Sequence, residues 1–388
     1  MEKKKEIFPY IAKLLNGEKV QYKTLGEVAE LKRGNSITKK TSNQGEIPVI
    51  SGGQQPAYYI DQFNRKGNTI TVAGSGAYAG HVMYWEEPIF VGDAFSVKTD
   101  ETILSTKYVY HFLLQNQQKI YAMKKGSGVP HVYPKDLGVL QIPLPPLSVQ
   151  QEIVRILDKF TQLEAELEAE LDCRKRQYEY YRDNLLADDK KVQYKTLGEV
   201  ADFQNGFAFK SRSFRDNGEV IVRITNIDGK GVDLSDVKYF SISDYNTNMS
   251  PYKINKGDIL IAMSGATTGK IGFYNYEYTS YINQRVGKFI PKANILNNRY
   301  LYHYLLSKVE EIYIIAGGGA QPNLSSNKLM EKIQIPIPPI EEQQRIAGIL
   351  DKFDTLVNSI SEGLPREIAL RRKQYEYYRE RLMTFPEN

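Results

Sequence analysis

The stretch VQYKTLGEVA occurs twice, at Val20–Ala29 and at Val192–Ala201, and nothing constrains the fold of this chain more than that repetition. The duplication continues in the same order. SGAYAGHV (Ser75–Val82) answers SGATTGKI (Ser264–Ile271), and YVYHFLL (Tyr108–Leu114) answers YLYHYLL (Tyr300–Leu306). GSGVPHV (Gly126–Val132) answers GGAQPNL (Gly318–Leu324), with Pro130 over Pro322. QIPLPPLSVQQEIVRILDKF, ending at Phe160, matches QIPIPPIEEQQRIAGILDKF, ending at Phe353. KRQYEYYRDNLL (Lys175–Leu186) matches RKQYEYYRERLM (Arg372–Met383). The order is globular block, long helix, globular block, long helix. Two copies are too few for a solenoid, so the expected architecture is one body with pseudo-two-fold symmetry.

Similarity is high at the block edges and low between Leu31–Thr69 and Phe203–Gly257. Equal frames with unequal interiors point to one scaffold carrying two specificities. Within the blocks, runs such as NTITVAG, EVIVRITNID and GDILIAMSG read as short strands separated by turns. Around Tyr108–Ala122 and Tyr300–Ile315 the apolar spacing becomes helical. Each block is therefore expected to be α+β. Thr24 with Glu27, and Thr196 with Glu199, have capping-box spacing, so the repeated stretch should open a short helix, as a structural entrance to each block.

After Pro145-Pro146, apolar residues fall at Ile153, Ile156, Phe160, Leu163, Leu167, Leu171, Tyr178, Tyr181 and Leu185. Steps of three and four put them on one helical face. Ser148 and Gln151 have capping-box spacing at its start. The second stripe runs Ile346, Ile349, Phe353, Leu356, Ile360, Leu364, Ile368, Tyr375, Tyr378 and Leu382, with Gly363 and Pro365 marking a break. Two such stripes can bury each other. From Ile153 to Leu185 the helix would span about 48 Å, a brace between the blocks and a possible ruler. The first residues, YIAKLLNGEKVQYKTLG, parallel the end of the first long helix, so the two chain ends should meet and close the repeat. The expected domains are an N-terminal helical segment (1–19), a block (20–147), a long helix (148–191), a second block (192–339) and a C-terminal helix (340–388).

Composition narrows the function by exclusion. A net charge of +5 on 388 residues is compatible with nucleic acid without demanding it. The single Cys173 excludes an intrachain disulfide and a Cys-rich zinc site, and the four scattered histidines have no metal-ligand spacing. No metal is expected. No apolar run is long enough to cross a bilayer, and MEKKKEIFPYIAKLL is not a secretory signal, so a cytoplasmic, reducing location is expected. An aminomethyltransferase needs an Asn/Asp-Pro-Pro-aromatic loop, but the Pro-Pro pairs here stand in LPPL and IPPI. SGATTGK departs twice from the phosphate-loop pattern, at Ser264 and at Ile271. The chain reads as a binder with two heads and no catalytic site of its own.

The paired YKTLGEV, the IPLPPLSVQQEIVRILDKF and IPIPPIEEQQRIAGILDKF segments, and RKRQYEYYR with RRKQYEYYR resemble the specificity subunit of type I DNA restriction–modification systems over nearly the whole chain. That resemblance implies two target recognition domains, each reading one half of a split site in double-stranded DNA. It implies long helices packed antiparallel that set the gap between half-sites and dock two modification subunits. Those partners would hold S-adenosylmethionine and methylate adenine, and restriction subunits, where present, would bring ATP and Mg. No cofactor is expected on this chain itself.

Under that reading Arg and Lys can read guanine, and Asn and Gln adenine. The candidate contacts in the first block are Gln54, Gln55, Ser75, Tyr78, His81, Lys124, Lys125, Ser127 and His131. In the second they are Arg223, Asn226, Thr267, Thr268, Lys270, Asn283, Gln284, Arg285, Gln321 and Asn323, with Asn283-Gln284-Arg285 foremost. Lys3-Lys4-Lys5 and Lys39-Lys40 could touch phosphate. Tyr180 and Tyr377, off the buried stripe, are candidates for docking partners. Two other readings stay open on the residues alone: a self-contained methyltransferase with two recognition domains, and a coiled-coil adaptor that binds only proteins.

Overall fold

The computed structural model describes residues 7–187, 192–319, 322–359 and 362–385. The chain divides into two compact units, Met1–Glu168 with Ile368–Asn388, and Ala169–Glu367. Each unit therefore draws its helical part from two distant stretches of chain.

The first unit opens with α1 (Pro9–Leu15), then β1 (Gln21–Thr24), α2 (Leu25–Val28) and β2 (Ala29–Arg33). The repeated stretch is thus a strand, a single helical turn and a second strand. Thr24 caps α2, and the Glu27 carboxylate accepts from the Thr24 amide at 2.7 Å, which completes the expected capping box. Next come β3 (Ile47–Ile50), β4 (Tyr59–Ile60), β5 (Thr69–Ala73), β6 (Val82–Trp85), β7 (Phe90–Val91) and β8 (Ala94–Thr99). Then follow α3 (Thr106–Gln115), α4 (Gln117–Ala122), α5 (Pro134–Leu137) and β9 (Gln141–Leu144). A four-stranded sheet has the order β2-β8-β5-β6, a three-stranded one β4-β3-β7, and β1 pairs with β9. The long helix α6 (Leu147–Leu185) begins right after β9.

The second unit repeats the plan. It has β10 (Tyr194–Thr196), α7 (Leu197–Val200) and β11 (Ala201–Asn205), with the same capping box at Thr196. After these come β12 (Glu219–Val222), β13 (Lys238–Phe240), β14 (Lys253–Ile254), β15 (Ile259–Ala262), β16 (Ile271–Phe273), β17 (Ser280–Ile282) and β18 (Val286–Pro291). The helices α8 (Asn298–Ser307), α9 (Val309–Ile315) and α10 (Ser326–Lys332) and the strand β19 (Gln334–Pro336) lead to α11 (Ile340–Asn358). The last helix, α12 (Leu364–Leu382), follows the break expected at Gly363. The sheet β11-β18-β15-β16 reproduces β2-β8-β5-β6 strand for strand. The divergence expected between Phe203 and Gly257 is real: β13-β12-β17 repeats β4-β3-β7, but this stretch adds β14 at the sheet edge and an aromatic cluster of Phe207, Phe209, Phe240 and Tyr245.

Within the first unit, α12 runs antiparallel to α6: Phe160 stacks on Tyr378 with centroids 5.3 Å apart, and Arg372 reaches Glu164 and Glu168 at 2.5 Å each. α1 joins the same core, where Ile11 and Leu15 meet Leu382, Met383 and Phe385. Tyr22 donates to the Phe385 carbonyl at 2.8 Å, so the early and late chain segments meet as expected. In the second unit Tyr181 stacks on Phe353 at 5.4 Å, the counterpart of the Phe160–Tyr378 pair.

Two expectations about α6 need correction. The helix starts at Leu147, before Ser148, and its first turn is anchored by Gln150 rather than by a Ser148–Gln151 box. Gln150 is buried; its carbonyl oxygen accepts from the Ser105 amide at 2.9 Å and its amide donates to the Ile103 and Pro145 carbonyls. Gln343 does the same for α11 with Asn297, Ile295 and Pro338. Leu163 and Tyr181, both placed on the buried stripe, are each 44% exposed, while Leu157, off the expected stripe, is fully buried.

Candidate nucleic-acid interface

Most first-block candidates converge on one edge of the first unit. Ser75, Tyr78 and His81 lie on the turn between β5 and β6. Lys124, Lys125, Ser127 and His131 lie between α4 and α5. Backbone bridges tie the two together: Ser75 pairs with His131, and Lys125 exchanges two hydrogen bonds with His131 at 2.9 and 2.8 Å. The Lys124 ammonium donates to the Ala77 carbonyl at 2.9 Å and sits 4.7 Å above the Tyr121 ring. His81 approaches the Tyr121 hydroxyl at 3.4 Å, and its burial holds its pKa below the ordinary value. Lys125 pairs with Asp136 at 2.8 Å. Tyr78 and Ser127 are exposed. Gln54 and Gln55 are exposed on a separate loop, between β3 and β4. His131 also lines a cleft of about 380 Å³ together with Arg33, Ser36, Tyr58 and Asp93. Of these, Arg33 stacks its guanidinium 5.3 Å from the Tyr133 ring.

The second unit places its candidates on the equivalent edge. Thr267, Thr268 and Lys270 lie on the turn between β15 and β16, Asn283-Gln284-Arg285 between β17 and β18, and Asn323 before α10. Asn323 pairs with Ser264 as His131 pairs with Ser75. The Asn283 side-chain oxygen accepts from the Gln284 backbone amide at 2.8 Å, and Gln284 and Arg285 are exposed. Arg223 donates to the Asp236 carbonyl at 3.1 Å and stands behind the same edge, where the Val222 carbonyl accepts from the Asn283 amide at 2.9 Å. Gln321 lies outside the described residues, as do Lys3, Lys4 and Lys5.

The hydroxyl oxygen of Thr267 is buried, and two further candidates leave the list of groups a duplex could touch. Asn226 is 3% exposed; its side-chain oxygen accepts from the Arg223 amide and its amide donates to the Asp233 and Asp236 carbonyls. Thr268 is 5% exposed, and its hydroxyl donates toward the Gly265 and Pro322 carbonyls. Both are polar residues whose bonding capacity is used inside the chain. Spacing on a loop reveals the residue type but not the direction of the side chain.

Ser75, Asp93 and His131 supply the residue types of a nucleophilic triad, but not its order of contacts. The Ser75 hydroxyl donates straight to the Asp93 carboxylate, and the His131 ring stacks on Tyr133 at 5.9 Å. A triad needs the imidazole between the two. Among the described residues no group of three or more His, Cys, Asp or Glu side chains is placed to hold a metal ion, and no helix is long and apolar enough to cross a membrane.

The sequence reading missed a second constellation. His111 and His303 are fully buried. His111 donates from Nε2 to Asp158 at 2.9 Å and accepts at Nδ1 from the Tyr375 hydroxyl at 2.8 Å. His303 repeats this with Asp351 at 2.7 Å and Tyr178 at 3.1 Å. Each set ties a helix of the globular block to two stretches of long helix. Tyr180 and Tyr377, next to these anchors, are 65% and 53% exposed, edge-on to Tyr181 and Tyr378.

The family model for the type I restriction modification DNA specificity domain matches residues 17–172 and again 189–370. The chain is 35% identical over 412 residues to the type I restriction enzyme EcoR124I/EcoR124II specificity subunit of Escherichia coli, with 97% of each covered. It is 32% identical to a Haemophilus influenzae protein provisionally described as a type I restriction enzyme specificity subunit, covering 97% of this chain and 98% of that one. Among solved structures it is similar in fold to the type I restriction-modification system S subunit from M. genitalium, with a TM-score of 0.64 at 20% identity, covering 96% of this chain and 98% of that one.

Proposed function

This chain belongs to the type I restriction–modification DNA specificity-subunit family, and from that premise we propose how it reads DNA. It is the non-catalytic sequence-recognition subunit of such a system, and the site it recognises is split. Residues 20–147 form one recognition domain and residues 192–339 the other, each reading one half-site through the edge described above. The long helices of 148–191 and 340–388 set the gap, with the N-terminal segment completing them. Two modification subunits dock on the helices, with Tyr180 and Tyr377 among the contacts. S-adenosylmethionine is held by the modification subunits, ATP and Mg by restriction subunits, and the assembly works in the cytoplasm.

One observation supports this reading above the others. The two edges share their backbone bonds, Ser75 with His131 and Ser264 with Asn323, yet carry unlike side chains. Phosphate contacts position a protein on DNA without reading sequence, and base contacts read it. Matched frames with unmatched groups are what two readers of different half-sites require. The test is to map methylated adenines in cells that carry this chain with its modification subunits. The expected result is an interrupted, asymmetric motif. A continuous motif, or two identical halves, would overturn the proposal.

A further inference from the structure

The turn between β7 and β8 and the turn between β17 and β18 occupy the same place in the two units. The Asp93 carbonyl accepts from the amide of Gly74, the residue after β5, at 3.2 Å. The Arg285 carbonyl accepts from the amide of Met263, the residue after β15, at 2.8 Å. One residue further, Ser75 pairs with His131 and Ser264 with Asn323. Asp93 and Arg285 are therefore backbone equivalents, although the sequences around them, VGDAF and NQRVG, give no alignment. Both turns are held from behind. The Gly34 amide donates to the Ala94 carbonyl and the Gly206 amide to the Val286 carbonyl, each at 2.9 Å. A Cβ at Gly34 would lie 2.2 Å from the Gly92 carbonyl oxygen, and one at Gly206 would lie 2.0 Å from that of Asn283, so both turns are clamped by bare backbone.

Opposite charges thus stand on identical mounts. Both side chains are exposed. The Asp93 carboxylate is oriented by the Ser75 hydroxyl, and Arg285 has no side-chain hydrogen bond or ion pair among the described residues. A carboxylate is repelled by phosphate, so the group on DNA that it can contact favourably is an amino group on a base. Cytosine's N4 amine has an acceptor on one side only in the major groove, the O6 of its paired guanine, whereas adenine's N6 amine stands between its own N7 and the O4 of the paired thymine. A guanidinium has the complementary preference, for the O6 and N7 acceptors of guanine.

We infer that Asp93 and Arg285 are specificity-determining residues at one equivalent reading position, Asp93 selecting a cytosine in the half-site of the first unit and Arg285 a guanine in that of the second. This rests on the DNA-reading function proposed above. The test uses the full chain assembled with its modification subunits, on duplexes in which each base pair of the mapped site is varied singly. Asp93→Asn should relax one cytosine position of the first half-site and leave the second half-site alone. Arg285→Gln should relax one guanine position of the second half-site and leave the first alone. Discrimination at that position should fall by about ten- to a hundred-fold. The fold-bearing bonds at both positions come from the main chain, and Arg285→Lys, which keeps a donor for O6 and N7 but loses the fork, should relax the same guanine position less than Arg285→Gln does. Unchanged discrimination at every position overturns the inference. So does uniform weakening on all sequences with a shallower salt dependence, the mark of a phosphate contact, or a half-site without a G·C pair. A wild-type complex with no sequence preference would instead overturn the DNA-reading function itself.

Discussion

At the scale of residues, the buried histidines show how polar groups fasten helices to blocks. Burial first of all holds His111 and His303 below the ordinary value of 6.5, so each stays neutral with Nε2–H donating to a carboxylate and Nδ1 accepting from a tyrosine. Burial also pushes Asp158 and Asp351 upward, but hydrogen bonds from the histidines and from Lys107 or Arg299 outweigh it and hold both carboxyls below the usual range. The signs agree. A histidine that refuses its proton in the fold gives full stability above about 6.5, lost as pH falls through its lowered folded pKa. The carboxylates give stability above the unfolded carboxyl range, lost as pH falls further. The melting temperature should therefore drop between about pH 7.5 and about pH 5.5. That drop should flatten in a His111→Gln/His303→Gln variant, with His81 supplying the remainder in the same direction. A melting temperature that rises on acidification would contradict this account. Tyr375→Phe removes the donor to His111 and leaves a buried acceptor unpaired, which should cost about 1–3 kcal/mol by denaturant unfolding. The sequence placed Tyr178 and Tyr375 on the buried stripe correctly. Their partners are 125 and 264 residues away, and spacing along a chain carries no trace of such a bond.

At the scale of elements, the long helices were the most legible part, because a period of three and four over many turns is hard to mistake. The break at Gly363 was legible as well, from Gly and Pro close together. Its necessity came only from the structure: a Cβ at Gly363 would lie 2.3 Å from the Thr355 carbonyl oxygen. The start of α6 was misread, since Gln150 reaches across to the loop before α3, a tertiary bond that competes with the local box. α6 runs 39 residues without interruption, about 58 Å. A ruler of that kind should be cut to length. Removing Leu167–Glu170 takes out about 6 Å, slightly more than one turn, and near-integral removal keeps the flanking faces roughly in phase. Arg372 loses Glu168 but keeps Glu164. Methylome mapping should then recover both half-sites unchanged with a gap shorter by about one to two base pairs. Altered half-sites around an unaltered gap would refute the ruler.

At the scale of the whole molecule, the plan was legible because duplication advertises itself: the repeated borders became β1-α2-β2 and β10-α7-β11, each leading into the same sheet order. What the letters hid was the correspondence inside the blocks. Asp93 and Arg285 share a position only through the hydrogen bonds of their carbonyls, and no string comparison pairs VGDAF with NQRVG. The division of labour has its own test. Ser75 bonds directly to Asp93, with His131 stacked aside, and its counterparts in the second unit are Ser264, Arg285 and Asn323, which lack both the carboxylate and the imidazole. A serine activated through a triad would need an imidazole between its hydroxyl and a carboxylate in at least one copy, and in neither copy does an imidazole contact the serine hydroxyl. The purified chain, incubated with a labelled methyl donor and DNA containing the mapped site, should transfer no label. Adding the modification subunits should start transfer, confined to that site. Because Asp93→Asn should relax the site without stopping transfer, the complete complex carrying that variant should label DNA at a comparable rate on a wider set of sequences. Transfer by the lone chain would return it to the class of self-contained methyltransferases.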